Sequence, residues 1–170
     1  GQVWPGWCHF PDYTKPAVRQ WWKEKLTNYS SLGVEGFWND MNEIATWGHM
    51  QPENIEFDHE GEGATSRKAR NVYGFQMARS SYEAAKELLH GKRPFNLTRS
   101  GYSGVQRYAA VWTGDNVSYD DHMLLGVRMI NSLGLAGIPF VGYDVGGFAG
   151  EASVKLFARW ITLGALSPFF

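Results

Sequence analysis

The stretch GFWNDMNE, Gly36–Glu43, ends a short apolar and aromatic run on two acidic residues, Asp40 and Glu43, three positions apart. Buried carboxylates are costly unless they are paired or hydrogen-bonded, so these two need either a structural partner or a chemical role. A short apolar run that stops at Asn and Asp predicts a buried strand leading into a polar loop. We therefore expect a strand whose carboxyl end carries a carboxylate.

Strands and helices are predicted to alternate around this stretch. A helix is expected to begin at Pro16 and to end before Gly33, because Val18, Trp22 and Leu26 recur at helical spacing. Further strands are predicted in RPFNLTRSG, AAVWTGDN and IPFVGYDVGGF, and further helices in NVYGFQMARSSYEAAKELLHG, SYDDHMLLGVRMINSLGLAG and ASVKLFARWITLGAL. Because parallel neighbours need crossover connections, this order predicts parallel β/α units in one α/β domain of 170 residues.

The charge and hydropathy of the chain exclude two classes of partner. With 16 basic and 17 acidic residues and a net charge of -1, the chain has no electrostatic footprint for nucleic acid. No uninterrupted apolar segment is long enough to span a membrane, so no membrane association is expected. The first residues, GQVWPGWCHF, lack the basic start and apolar core of a signal peptide. The compartment stays open, because a longer precursor with a signal would send the protein to the periplasm or out of the cell.

The aromatic content of the chain is unusual. It has 8 Trp, 8 Tyr and 10 Phe, which make up 15% of the residues, together with 20 Gly. Aromatic faces pack against the C–H faces of sugars, and glycines let the backbone approach a ligand closely. Aromatic residues also fill cores, which is the favoured interpretation at this point, so composition alone only suggests a sugar ligand.

Neither a metal nor an organic cofactor is expected. The five histidines stand at positions 9, 49, 59, 90 and 122, without the HxH or HExxH spacing of metal ligands. No GxGxxG or GxxxxGK[ST] motif is present to bind phosphates. The lone Cys8 has no partner for a disulfide, and we expect it to be a small buried side chain.

Charged residues follow all four of the predicted strands. Asp40, Asp115 and Asp144 end three of them, and Arg99 ends the fourth. In α/β proteins the ligand site lies beyond the carboxyl ends of the strands, and in a closed barrel these ends share one mouth. A single Asp after a strand is usually a turn or cap residue. Charged residues at the ends of all four predicted strands instead favour one site at which their side chains meet.

Two carboxylates on separate strands, with an arginine and several tryptophans, suit the cleavage of a glycosidic bond. A retaining enzyme needs one ionised nucleophile and one protonated acid, about 5–5.5 Å apart. Asp40, with Asn39 and Asn42 beside it and an arginine within reach, is the better candidate for the ionised group. Asp115, between Trp112 and the helix that follows, is expected in a drier setting that keeps it protonated.

These motifs resemble glycoside hydrolase family 31. GVEGFWNDMNE is similar to the family's nucleophile region, RSGYSGVQRYAAVWTGDN to its acid/base region, and IPFVGYDVGGF to the strand that comes next. FPDYTKPAVRQWW and LGALSPFF resemble its flanking segments. The resemblance covers essentially the whole chain in the right order, so it is specific at the level of the family.

The resemblance implies a role for each matching residue. Asp40 would be the catalytic nucleophile, and Asp115 the general acid and then the base that activates water. Arg99 would hydrogen-bond the sugar and the nucleophile, Asp144 would bind hydroxyls deep in the first sugar subsite, and Glu43 would be a supporting acid. The residues that would line this subsite are Trp38, Met41, Trp112 and Phe148.

The resemblance also implies a fold and its extent. Family members build a complete (β/α)8 TIM barrel with further β domains, and this chain would contain about strands four to seven of the barrel, with their helices, over residues 1–170. Sugar-binding acids on earlier strands and a histidine after the SPFF-like segment are absent. We therefore expect a portion of a larger enzyme, with the remaining barrel and β domains as its partners, that is inactive alone. The family often has Pro at Ile44 and Ala at Tyr143, which leaves the substrate preference open.

The implied activity is retaining, exo-acting hydrolysis of α-linked oligosaccharides, with release of α-glucose from their non-reducing ends. A transglucosylase, in which a sugar hydroxyl replaces water, shares the first half of this reaction. α-Xylosidase and α-galactosidase activities are further alternatives within the family. A non-catalytic carbohydrate-binding protein is an alternative of another class, but it would not need both Asp40 and Asp115.

Overall fold

The computed structural model describes residues 1–47, 53 and 55–170. By its internal contacts the chain divides into two compact units, Gly1–Tyr102 and Ser103–Phe170. The strands and helices in chain order are β1 (Gln2–Val3), β2 (Gly6–Trp7), α1 (Pro16–Ser30), β3 (Gly36–Asn39), β4 (Glu56–Phe57), β5 (Ala64–Thr65), α2 (Ser66–Leu88), β6 (Phe95–Thr98), β7 (Ala110–Trp112), α3 (Asp120–Leu135), β8 (Val141–Gly142) and α4 (Val154–Ala165). None of the helices among these described residues is long and apolar enough to cross a membrane.

The first unit is built around two parallel strands. Strand β3 pairs with β6 in parallel, with Gly36 opposite Phe95 and Asn39 opposite Thr98. The helices α1 and α2 pack against each other, and α2 also contacts both strands. Helix α1 begins at Pro16, whose fixed φ suits the first turn, and confirms the predicted helix. Two short antiparallel pairs, β1–β2 and β4–β5, were not predicted.

Helix α2 begins earlier than the sequence pattern predicts. The predicted segment starts at Asn71, whereas the helix starts at Ser66, directly after β5. The added turns, SRKAR, consist mostly of good helix formers without apolar periodicity, so a search for an apolar stripe misses them. Ala69 in these turns is buried in the core, which explains why tertiary packing extends the helix.

The core of the first unit is aromatic. Tyr13, Phe57 and Tyr73 are buried together with Ile44 and Ala69. The rings of Tyr13 and Tyr73 meet edge to face with their centroids 5.6 Å apart. Burial raises the pKa of Tyr13 above its ordinary value of 10.0. Burial, followed by the charges of Tyr13 and Asp12, raises the pKa of Tyr73 in the same direction.

The second unit repeats the pattern of parallel strands and helices. Strand β7 pairs with β8 in parallel, with Trp112 opposite Gly142. Helix α4 has its N-cap at Ser153, whose hydroxyl accepts a hydrogen bond from the Leu156 amide, and buries Trp160 completely. A Cβ atom at Gly142 would lie 2.2 Å from the carbonyl oxygen of Phe169, so only glycine fits at this strand position.

Candidate active site

The ends of β3 and β6 bring Asp40 and Arg99 together. Each residue directly follows one member of the Asn39–Thr98 pair, and the Arg99 amide donates to the Asn39 carbonyl oxygen over 3.0 Å. The Arg99 Nη1 atom lies 3.2 Å from Oδ1 of Asp40. The expectation that an arginine lies within reach of Asp40 is therefore confirmed, and the parallel register of the two strands is its cause.

The same guanidinium group also holds Glu43. Its Nε atom donates to Oε1 of Glu43 over 2.9 Å, and its Nη2 atom donates to Oε2 over 3.1 Å. This two-point geometry is the strongest form of an arginine–carboxylate pair. The Arg99 side chain is 16% exposed, against 31% for Asp40. One cation thus links both acids of the GFWNDMNE stretch.

The loop after Asp40 has a strained and closely anchored backbone. Met41 has a φ of 52°, in the left-handed region, and its amide donates to Oδ1 of Asp40 over 2.8 Å. The buried Asn42 donates to Oγ1 of Thr98 over 2.9 Å and accepts from the Ser100 amide over 3.0 Å. Asn42 therefore ties the Asp40 loop to the loop that follows β6.

The two faces of β3 have different roles. Asn39 is buried, and its amide nitrogen donates over 3.0 Å to the Ser81 hydroxyl of α2, which also accepts from Trp22 of α1 over 3.0 Å. Trp38 lies on the opposite face and is 63% exposed. One face of the strand is thus fixed to the helices, while the other presents an indole ring close to Asp40 in the chain.

In the second unit, Asp115 lies in the loop that follows β7. Asp115 is exposed, whereas Trp112 at the end of the strand is 6% exposed. The expected dry setting for Asp115 is therefore wrong for the described structure. An acid three residues beyond a strand can leave the buried layer even though the strand's last aromatic residue stays inside it.

Asp144 and Phe148 lie in the loop that follows β8. Asp144 is half-buried, and Phe148 presents a ring that is 66% exposed. The buried Asn116, next to Asp115, donates to the Asp144 carbonyl oxygen over 3.0 Å and accepts from the Phe148 amide over 2.9 Å. The structure thus connects the loops after β7 and β8 in the second unit, as it connects those after β3 and β6 in the first.

The side chains of Asn42 and Asn116 each hold two loops together, and the sequence pattern did not predict this role. Asn42 was noted only as a neighbour of Asp40. Both asparagines stand one or two positions beyond a candidate catalytic acid, which is the signal that could have identified them. The side-chain amide offers a donor and an acceptor together, and both asparagines use this property to bridge two loops.

The two departures from the family pattern, Ile44 and Tyr143, are buried. Ile44 is 3% exposed and belongs to the aromatic core of the first unit. Tyr143 is 7% exposed, and its ring contacts Gly126 of α3, where a Cβ atom would approach to 3.0 Å. Both side chains thus fill the interior of their units.

No group of three or more His, Cys, Asp and Glu side chains that could hold a metal ion was found within residues 1–47, 53 and 55–170. Of the five histidines, His49 lies outside these residues. Cys8 is half-buried and not disulfide-bonded.

Parallel β/α units with acids at the strand ends are typical of α/β enzymes, including those built on a TIM barrel. The model of the "Glycosyl hydrolases family 31 TIM-barrel domain" matches residues 1–170. Alpha-glucosidase 2 of Bacillus thermoamyloliquefaciens is 49% identical over 172 residues, which cover 100% of this chain and 22% of that protein. Human neutral alpha-glucosidase AB is 37% identical over 174 residues, which cover 100% of this chain and 18% of that protein.

A crystal structure of the glucosidase II alpha subunit with bound Glc1Man2 superposes with a TM-score of 0.89 at 36% identity, over 100% of this chain and 19% of that one. The chain belongs to glycosyl hydrolase family 31. The predicted fold class, α/β and part of a TIM barrel, is confirmed. The chain spans about a fifth of the length of the relatives it matches.

Proposed function

We propose that the chain is the central part of the catalytic barrel, about strands four to seven, of a longer retaining α-glycosidase. The substrate would be an α-linked oligosaccharide, from whose non-reducing end the enzyme releases α-glucose. Relatives named as alpha-glucosidases, 49% and 37% identical and about five times as long, support this proposal. The observation that carries it is the Asp40 carboxylate held by Arg99 at the end of two parallel strands, within an intact DMNE sequence.

In the first step, a carboxylate oxygen of Asp40 would attack the anomeric carbon of the terminal sugar. The bond from that carbon to the glycosidic oxygen breaks, and the leaving oxygen takes a proton from Asp115. This step leaves a glycosyl ester on Asp40 and an ionised Asp115. In the second step, Asp115 takes a proton from water while the water oxygen attacks the anomeric carbon and the ester bond to Asp40 breaks. This restores the Asp40 carboxylate, the protonated Asp115 and the original anomeric configuration.

The contacts of Asp40 favour attack through one particular oxygen. Two contacts of its carboxylate fall on Oδ1, from the Met41 amide at 2.8 Å and from Arg99 Nη1 at 3.2 Å. Two donors on one oxygen fix the orientation of the carboxylate and keep its charge stabilised. We assign the attacking role to the other oxygen, Oδ2.

Sugar recognition would use the exposed aromatic side chains and Asp144. Trp38 and Phe148 are 63% and 66% exposed, and each is separated by only a few residues from a charged candidate residue. Their faces suit stacking on a pyranose ring. Met41 would line the same subsite, whereas the buried Trp112 would support it from within the protein.

Product analysis of the full-length enzyme tests the proposal. The enzyme is incubated with α-linked glucosides, xylosides and galactosides, and the configuration of the released sugar is followed by NMR. We expect α-glucose as the first product of hydrolysis. A β-anomer would overturn the retaining mechanism, transfer to a second sugar would identify a transglucosylase, and binding without turnover would identify a carbohydrate-binding protein.

Substitution of each acid assigns its role. Asp40→Ala and Asp115→Ala in the full-length enzyme should each lower kcat by at least about 10³-fold without loss of folding. Asp121→Ala, which removes an exposed acid at the start of α3, is the matched control and should keep normal turnover. Activity within about tenfold of wild type in either Asp40→Ala or Asp115→Ala would overturn that residue's assignment.

A further inference from the structure

We propose that Asn116 is a positioning residue that places the general acid Asp115 relative to the sugar-binding loop Asp144–Phe148. This inference rests on the proposed function, because it presumes that Asp115 protonates the leaving group. Nothing in the family match requires that role for this residue; the contacts of its side chain carry the inference.

The Asn116 side chain bridges the two loops through both of its polar atoms. Its Nδ2 atom donates to the Asp144 carbonyl oxygen over 3.0 Å, and its Oδ1 atom accepts from the Phe148 amide over 2.9 Å. The main-chain carbonyl oxygen of Asn116 is also within 3.0 Å of the Phe148 and Ala149 amides. Asn116 is 8% exposed, so water competes little for these bonds.

Ser118 fastens the same two loops at a second point. Its hydroxyl lies 2.7 Å from the Gly146 carbonyl oxygen and 3.1 Å from that of Ala149, and its amide donates to Ala149 over 2.9 Å. Gly147 has a φ of 94°, and a Cβ atom there would lie 2.5 Å from the Ser118 hydroxyl. The loops are therefore in direct contact, and no side chain would fit between them at Gly147.

These contacts fix the backbone directly after Asp115, whose own side chain is exposed. Asp115 lies outside the buried layer, so its own burial does not hold it in place. Asn116, the next residue, anchors the adjoining backbone by its bonds to the loop that carries Asp144 and Phe148. The acid and the sugar-binding side chains are thereby set relative to each other.

The amide at position 116 matches the donors and acceptors around it. It faces one carbonyl oxygen and one N–H group, to which it offers its N–H donor and its oxygen acceptor respectively. In Asn116→Asp, an ionised oxygen would face the Asp144 carbonyl oxygen. The two oxygens would repel each other and move the loop that carries Asp115.

A displaced general acid changes kcat/KM differently for substrates with poor and good leaving groups, whereas a loss of protein stability does not. A poor leaving group, such as the glucose of maltose, needs a proton as its bond breaks, whereas fluoride leaves with little assistance. A misplaced acid therefore lowers kcat/KM for maltose more than for α-glucosyl fluoride. A smaller fraction of folded enzyme lowers both values equally.

The test compares kcat/KM for maltose and for α-glucosyl fluoride in the full-length enzyme. We expect Asn116→Asp to lower the ratio of the two values by about 10- to 100-fold, as a displacement of about 1 Å would. Asn116→Ala adds no charge and keeps the main-chain bonds, so it serves as the second variant should Asn116→Asp fail to fold, with the same direction expected. Asn131→Asp, an equal charge change at an exposed position of α3, should leave the ratio unchanged.

Asp115→Ala is measured in parallel and separates two kinds of failure. If Asp115→Ala lowers the ratio strongly but the folded Asn116 variants do not, the positioning role of Asn116 is overturned and the function of Asp115 stands. If Asp115→Ala lowers both substrates equally, the assignment of Asp115 as the acid is overturned, and this inference with it.

Discussion

Gly74 of α2 marks the closest approach of a helix to the loops that carry the first half of the candidate site. A Cβ atom at this position would lie 2.8 Å from both Cβ and the carbonyl oxygen of Ser100 and 2.9 Å from the carbonyl oxygen of Asn42. Ser100 follows Arg99 directly, and Asn42 lies two residues after Asp40. The substitution Gly74→Ala should therefore disturb both stability and activity.

The size of the effect follows from two opposing terms. Alanine in a helix interior is better than glycine by about 0.5–1 kcal/mol. Against this, the added methyl group overlaps backbone oxygens that cannot rotate away, and overpacking of this kind costs about 1–3 kcal/mol. At their midpoints the two terms leave a net loss of about 1 kcal/mol, which corresponds to a fall in Tm of about 2–4 °C for a domain of roughly 150–250 residues.

Activity should fall by more than stability accounts for. The helix can relieve the overlap only by moving away from Ser100 and Asn42, or by moving them. Because Asn42 bonds to Thr98 and to the Ser100 amide, its displacement carries the Asp40 and Arg99 loops with it. We expect kcat to drop by about tenfold or more at temperatures well below Tm.

The assay is differential scanning fluorimetry with initial rates on maltose, applied to the full-length enzyme. Gly134→Ala is the matched control, because a Cβ atom there, on α3, meets nothing within 4 Å. This variant should keep or raise Tm and retain full activity. A Gly74→Ala enzyme as stable and active as the Gly134→Ala enzyme would refute the reasoning from steric contact.

Three further predictions concern charged and ionisable groups. Because burial raises the pKa of Tyr13 and Tyr73 in the folded state, the unfolded chain loses these protons first as the pH rises through 10.0; the free energy of unfolding should then fall by about 1.4 kcal/mol for each tyrosine over the whole range from pH 9 to 11, as measured by denaturant titration. Tyr13→Phe should remove its share of this slope, and an unchanged slope would contradict the prediction. Arg99→Lys should lower kcat/KM by about 10- to 100-fold, because an ammonium group lacks the planar fork that pairs with both oxygens of Glu43 while its third nitrogen reaches Asp40; a loss of less than twofold would argue against this role. Glu43→Gln should lower kcat by only about tenfold, since Arg99 is then held less firmly but Asp40 keeps its bond from the Met41 amide, and a loss as large as that of Asp40→Ala would make Glu43 itself catalytic.

The order of the elements was predictable because it depends on local pattern. Pro16 begins a helix, and GFWN, which precedes Asp40, forms a strand. The meeting of Asp40 with Arg99 was also predictable, since residues that follow the ends of parallel neighbours share one edge. The first turns of α2 were missed because Ala69 is their only fully buried apolar residue. A single apolar residue cannot show the helical repeat by which a helix is recognised in a sequence.

The environment of single side chains was less predictable. The sequence shows that Asp115 follows an aromatic strand, but its exposure depends on the path of the loop after the strand has ended. Ile44 and Tyr143 stand beside motif residues in the chain, yet both point into the interior. Neighbours along an extended or looped backbone face different directions, so closeness in sequence is weak evidence of a shared environment.

The two acids of GFWNDMNE, Asp40 and Glu43, have different contacts and therefore different roles. Two carboxylates three residues apart repel each other unless a cation lies between them, and Arg99 supplies that cation from a different strand. Glu43 takes the Nε and Nη2 atoms in a two-point contact, which fixes the plane of the guanidinium group. Nη1 is then directed at Oδ1 of Asp40. On this argument Glu43 acts through Arg99, and the orientation of the proposed nucleophile depends on an acid that never needs to touch the substrate.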